Sequence, residues 1–190
     1  MEIKETFYTP SRKGWRAWLK KNQEKKKEVW LIYYRKASGR KRIPYNDAVE
    51  EALCFGWIDS TVKKVDDDSF AQRFTPRRRD SRLSQMNRER IRKLIIGGRM
   101  TPKGLAAVSH AFVADLEQHE KTRIPSDILD AIRKDKCAWK HFQNLPESYK
   151  RIRIAYIISQ KRHGTAAFKR SLENFIKMTA RNKRFGMVKE

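Results

Sequence analysis

Cysteine, glycine and long apolar runs are all scarce in this chain, and each shortage removes a class of protein. Two cysteines, Cys54 and Cys137, cannot build a disulfide framework or a metal knuckle. Both sit among apolar neighbours and read as buried small hydrophobes. No run approaches the roughly 20 apolar residues of a membrane span. The first residues, Met1 to Thr6, hold neither an apolar signal core nor a small-residue cleavage site, so the expected compartment is the cytoplasm. No glycine-rich phosphate loop or dinucleotide fingerprint occurs among the eight glycines. The four histidines, His110, His119, His141 and His163, all fall in the second half. No spacing couples them to Cys54 or to a serine elbow, so no nucleophile acquires a base. Asp66-Asp67-Asp68 lacks the alternating ligands and terminal glutamate of a calcium loop and reads as a turn. No catalytic residue, metal or cofactor is expected.

What the chain has in excess is positive charge: 45 lysines and arginines against 22 acidic residues, a formal net charge of +23, present in both halves. The field of such a protein attracts polyanions. A solubilising basic surface produces the same composition, so the charge gives a partner's sign without its identity.

Element signals divide the 190 residues in two. Trp15, Trp18 and Leu19 share one face of a segment whose other faces carry Arg12, Lys13, Arg16, Lys20 and Lys21, which predicts a surface helix over a sheet. Glu28 to Lys36, apolar on both faces, reads as a central strand. A short strand is expected at Arg42 and Ile43 before Pro44. Asn46 then caps a helix that Gly56 ends. Trp57 to Val65 and Ser69 to Thr75 make a hairpin, and Ser84 caps a helix in which Asn87, Ile91, Leu94 and Ile95 face inward, stopped by Gly97-Gly98. From Pro102 onward only helical spacing appears: Leu105, Val108, Phe112 and Leu116; Ile128 and Ile132; Ala138, Phe142 and Leu145; Tyr149, Ile152 and Tyr156; Phe168, Leu172, Phe175 and Thr179. The expected class is α+β, with an N-terminal antiparallel sheet and covering helices over residues 1–100 and an all-helical region over 101–190.

Ala52-Leu53-Cys54-Phe55-Gly56-Trp57-Ile58-Asp59, followed by Arg73-Phe74-Thr75-Pro76-Arg77-Arg78 and by Ser81, Ser84 and Asn87, resembles the signature blocks of the YdeI/OmpD-associated, or bacteriocin-protection, family. The resemblance extends from Trp18-Leu19 to Gly98-Arg99-Met100-Thr101-Pro102-Lys103-Gly104-Leu105. It implies the α+β fold and an indirect role in envelope stress or antimicrobial-peptide tolerance, and it supplies no catalytic residue. Without an export signal, direct contact with an outer-membrane porin is not expected.

The sharpest candidate site is the loop after the hairpin. Arg77, Arg78 and Arg79 arrive just ahead of a helix N-terminus, where free N–H groups and the dipole favour an anion, and Ser81 and Ser84 add hydroxyls. Trp57, Asp59 and Asn87 are the signature residues that could share a cleft with that loop. The bland reading pairs these arginines with Asp80, Glu89 or the aspartate turn. Three functions are in play. The first is a non-enzymatic cytoplasmic protein that binds an anionic ligand or an acidic partner. The second is a nucleic-acid binder using exposed aromatics such as Tyr33, Tyr34 or Phe74. The third is an enzyme acting on a phosphorylated small molecule, with Asp59 as its base.

Overall fold

The computed structural model describes residues 2–78, 81–116 and 124–186, with residues 110–116 described as backbone only. Arg79, Asp80 and His119 therefore lie outside the described residues, as do the side chains of His110, Phe112 and Leu116. The chain divides into two compact units. The first holds residues up to Leu83 together with Arg90 onward through the next helix. The second holds Ser84–Glu89 and the helices beyond.

The first unit is a four-stranded sheet covered by helices, in the order β1 (Thr6–Phe7), α1 (Arg12–Asn22), β2 (Val29–Tyr34), α2 (Tyr45–Cys54), β3 (Trp57–Lys64), β4 (Ser69–Pro76), then the end of α3 (Gln85–Ile96) and α4 (Pro102–Leu116). Strand order is β1-β2-β4-β3. The β2–β4 and β3–β4 pairs are antiparallel, Val29 facing Phe74 and Trp57 facing Pro76. The expected all-antiparallel sheet is corrected at its edge: β1 runs parallel to β2, which makes the sheet mixed. Arg42 and Ile43 form no strand, and the Ile43 side chain is buried in the core instead.

Period-2 alternation puts Val29, Leu31 and Tyr33 on the helix-covered face, where they meet Trp15, Leu19, Val49 and Leu53. Ser11 caps α1 by accepting the Gly14 N–H at 3.1 Å. At α2 the cap differs from expectation. The helix starts at Tyr45 behind Pro44 with no side-chain cap, and Asn46 accepts a hydrogen bond from Arg90 at 2.6 Å. Gly56 ends α2 as expected, at φ +73°.

One contact fixes α4 against α2. The Cys54 carbonyl accepts the Thr101 N–H at 3.0 Å and the Thr101 hydroxyl at 2.7 Å. A Cβ on Gly104 would fall 2.1 Å from that same oxygen, so only glycine permits the approach.

The second unit is helical: α5 (Ser126–Arg133), α6 (Lys136–Gln143), α7 (Glu147–Ser159) and α8 (Thr165–Ala180), with the first turns of α3. Its core joins Ile128, Ile132, Phe142, Tyr149, Ile157 and Phe175. Asp135 caps α6 by accepting the Ala138 N–H at 2.9 Å. Two expectations fail here. Cys137 is exposed rather than buried, and Tyr156 points outward while Arg153 and Ile157 are buried. Helix α7 is covered on several sides, so a single apolar stripe misjudges its phase.

Candidate anion-binding site

The signature residues of the first unit are engaged in holding it together. Trp57 and Asp59, two apart on β3, share a face. Trp57 is fully buried with its ring edge-on to Trp18 at 6.0 Å. Asp59 accepts the Tyr45 hydroxyl at 2.7 Å, which ties α2 to the hairpin. Burial, then that hydrogen bond and the nearby carboxylate charge, push the Tyr45 phenol up to about 12. Of the aromatics considered for stacking on bases, Tyr33 and Phe74 are buried, and Tyr34 packs edge-on against Tyr8 at 5.1 Å.

The arginine loop is partly internal. Arg77 is buried; its guanidinium donates to the Ser81 carbonyl and its N–H to the Gly56 carbonyl at 2.8 Å. Arg78 is exposed, and its carbonyl accepts the Ser81 N–H at 3.2 Å. Ser84 caps α3, its hydroxyl oxygen accepting the Asn87 N–H at 3.3 Å and its carbonyl accepting the Arg88 N–H at 3.0 Å. Ser84 and Asn87 thus act together as a cap in the second unit, while Trp57, Asp59, Arg77, Arg78 and Ser81 belong to the first.

One carboxylate dominates the electrostatics of the first unit. Glu51 is wholly buried, and Arg12 Nε reaches its Oε1 at 2.6 Å, Arg16 reaches its Oε2 at 2.7 Å, and Arg99 also donates to Oε1. Arg12 turns its other nitrogens to Asp47 at 2.8 Å and Glu50 at 2.7 Å. Burial works to raise the Glu51 pKa, but the hydrogen bonds from Arg12 and Arg16 and the fields of Arg99 and Arg12 outweigh it, leaving a net shift downward. Every charge in this knot has an opposite neighbour. It offers nothing to a ligand.

The second unit contains the opposite case. Three basic residues lie close together on α7. Lys150 meets Glu147 at 2.7 Å, and Arg151 meets Glu89 at 2.7 and 2.9 Å. Arg153 is only 7% exposed, yet it forms no ion pair with any described residue, and its Nε has no hydrogen-bond partner among them. What it has is two rings: Phe185 with its centroid 3.9 Å from the guanidinium carbon and Tyr156 at 5.1 Å. Burial pushes its pKa below the ordinary arginine value, opposed by the fields of Tyr149 and Tyr156.

Arg153 lines a cleft of about 1020 Å³ that lies wholly within the second unit. Its walls come from α7, α8, the capped start of α3 and the Phe185–Gly186 segment. That segment is held by Tyr149, whose hydroxyl receives the Phe185 N–H at 3.1 Å. Ser171, on the α8 wall, also carries a buried hydroxyl with no partner among the described residues. Arg170 and Asn174 stand exposed at the rim. Among the described residues no cluster of metal-binding side chains exists.

A signal for Arg153 was present in the sequence. It interrupts the apolar run from Ile152 to Ile158 and has no acidic residue three or four positions away on either side.

Comparison with known proteins agrees with this division. Residues 7–107 match the family model described as Domain of unknown function (DUF8412). Residues 121–182 match the model described as Bacteriocin-protection, YdeI or OmpD-Associated. The resemblance read from the sequence is thereby supported, though on the helical region rather than on the central blocks that carried it. No curated protein and no solved structure gives a match. No helix among the described residues is long and apolar enough to cross a membrane.

Proposed function

Since the chain belongs, through residues 7–107, to the family of the Domain of unknown function (DUF8412), and its helical region is similar to bacteriocin-protection, YdeI or OmpD-associated proteins, we propose that it is a non-enzymatic binding protein whose helical unit receives an anion. The observation that carries this reading is Arg153: a guanidinium buried in a cleft, beside paired neighbours, with no carboxylate partner among the described residues. Burying a charge without hydrogen bonds is costly, and an incoming carboxylate or phosphate restores them in a charge-assisted, directional form. We place the protein in the cytoplasm, a compartment that suits its two free thiols. Any part in bacteriocin or peptide tolerance is indirect, because a net charge of +23 repels cationic peptides.

Titration calorimetry of benzoate and inorganic phosphate into wild type and Arg153→Met tests the reading. Heat that vanishes in a variant with unchanged circular dichroism supports it; equal heats in both proteins sink it. An Arg77/Arg78/Arg79 triple alanine variant in the same titration checks the alternative location, and loss of binding there alone moves the site to the loop. The net charge also keeps a nucleic-acid reading in play. Labelled DNA and RNA across a salt series decide it, since retained affinity at physiological salt favours that reading and a collapse on the log–log plot dismisses it.

A further inference from the structure

The cleft that holds Arg153 is far larger than a simple anion requires, and most of its lining is apolar. Its volume of about 1020 Å³ corresponds to roughly thirty water volumes, where phosphate or acetate fills only a few. Met86, Ile152, Ala155, Ala167, Tyr156 and Phe185 supply the apolar surface. Sites for organic ligands have this composition, apolar walls with a few placed polar groups that fix orientation.

The guanidinium itself is presented in a restricted way. The rings of Phe185 and Tyr156 lie within cation–π distance of its central carbon, and such contacts leave the in-plane N–H groups of a guanidinium for hydrogen bonding. Nε has no hydrogen-bond partner among the described residues. Gly186 borders Nη1 closely: a Cβ there would stand 3.1 Å from that nitrogen, so a larger residue would crowd the guanidinium. Ser171 supplies a second buried group, a hydroxyl able to donate to an oxygen anion. The only other cation among the lining residues is Arg170, exposed at the rim.

From this arrangement we propose that the helical unit binds a small organic carboxylate with a sizeable apolar body, its carboxylate on Arg153 and Ser171 and its body along the Met86, Ile152, Tyr156 and Phe185 wall. The assignment rests on the anion-binding reading above and specifies its ligand. One buried positive charge matches a single negative charge, and the planar edge of a guanidinium matches the planar carboxylate in a two-point contact. Such a ligand draws its affinity from apolar burial and its orientation from the ion pair.

The experiment is a series of probes on the full chain: acetate, octanoate, dodecanoate below its micellar concentration, octanamide and inorganic phosphate, each measured by titration calorimetry with wild type, Arg153→Met and Ser171→Ala. Affinity is expected to rise at least about tenfold from acetate to octanoate and further to dodecanoate, because each buried methylene adds to burial. Octanamide, which keeps the body and loses the charge, is expected to bind at least about tenfold more weakly than octanoate. Ser171→Ala removes a hydroxyl that has no partner among the described residues, so it is expected to fold normally and to bind octanoate several-fold more weakly. If octanoate, acetate and phosphate bind alike, the anion site stands and the apolar body is refuted. If octanamide matches octanoate, or if Arg153→Met changes no affinity, the anion reading itself falls.

Discussion

Glu51 in the first unit and Arg153 in the second are both withdrawn from solvent, yet Glu51 receives three guanidiniums while Arg153 receives two aromatic rings. The first is an ion whose desolvation is offset by neighbours from α1 and from the segment between α3 and α4. The second has no ion-pair partner among the described residues, whereas its helix neighbours Lys150 and Arg151 pair with Glu147 and Glu89. A buried charge completed by its own chain is architecture. One left incomplete beside a cleft is an opening for another molecule.

The comparison breaks most visibly at Glu51. Changing it to glutamine leaves Arg12, Arg16 and Arg99 crowded around a neutral amide, and breaking a buried ionic cluster by removing one partner costs about 3–5 kcal/mol. Guanidinium unfolding followed by tryptophan fluorescence reads this cleanly, because Trp15, Trp18, Trp30 and Trp57 lie in the first unit and Trp139 in the second. A midpoint unchanged from wild type would falsify the role assigned to the cluster.

Acid probes the same knot without mutation. The folded-state pKa of Glu51 is depressed, so its contribution to stability is fully present above the unfolded value near 4.5 and is lost as pH falls through the folded value. The first unit of wild type should therefore weaken below pH 4.5 in a way that Glu51→Gln does not reproduce. Parallel pH curves for the two proteins refute this.

A smaller effect is expected at Tyr45. Its hydroxyl donates to Asp59 at 2.7 Å from a half-buried position, and replacing it by phenylalanine removes one charge-assisted hydrogen bond, costing about 1.5–3 kcal/mol. In the wild type the phenol should resist ionisation until about pH 12, which ultraviolet titration measures.

The smallest change in stability should come from Arg153→Met. The substitution removes a buried charge that has no ion-pair partner among the described residues, together with two cation–π contacts, while keeping a long side chain, so stability should stay within about 1 kcal/mol of wild type. A loss as large as that at Glu51 would show that Arg153 holds the helical unit together, and the contrast between the two ions would vanish.

Much of the framework was legible in the residues. Gly56 ending α2, the three-aspartate turn of the hairpin and Ser84 opening α3 each follow from local chemistry, which acts over a few residues and is therefore visible in a string. The parallel edge strand was not legible, because Thr6 and Phe7 offer two residues and no alternation; only their pairing with Trp30 and Leu31 makes them a strand. At α7 the reading placed Tyr156 inside and passed over Arg153, since periodicity presumes one buried face and this helix has several. The loop arginines were legible as charge but not as geometry. Whether a guanidinium such as that of Arg77 turns toward its own loop depends on where the Ser81 carbonyl lies, and that position is set by the fold.

The arginines around Glu51 come from positions 12, 16 and 99, so the cluster draws together almost the full length of the first unit. During synthesis Glu51 follows Arg12 and Arg16, whereas residue 99 leaves the ribosome several seconds later, at about 5–20 residues per second. The knot of three carboxylates and three guanidiniums therefore cannot be complete until that last arginine has been made.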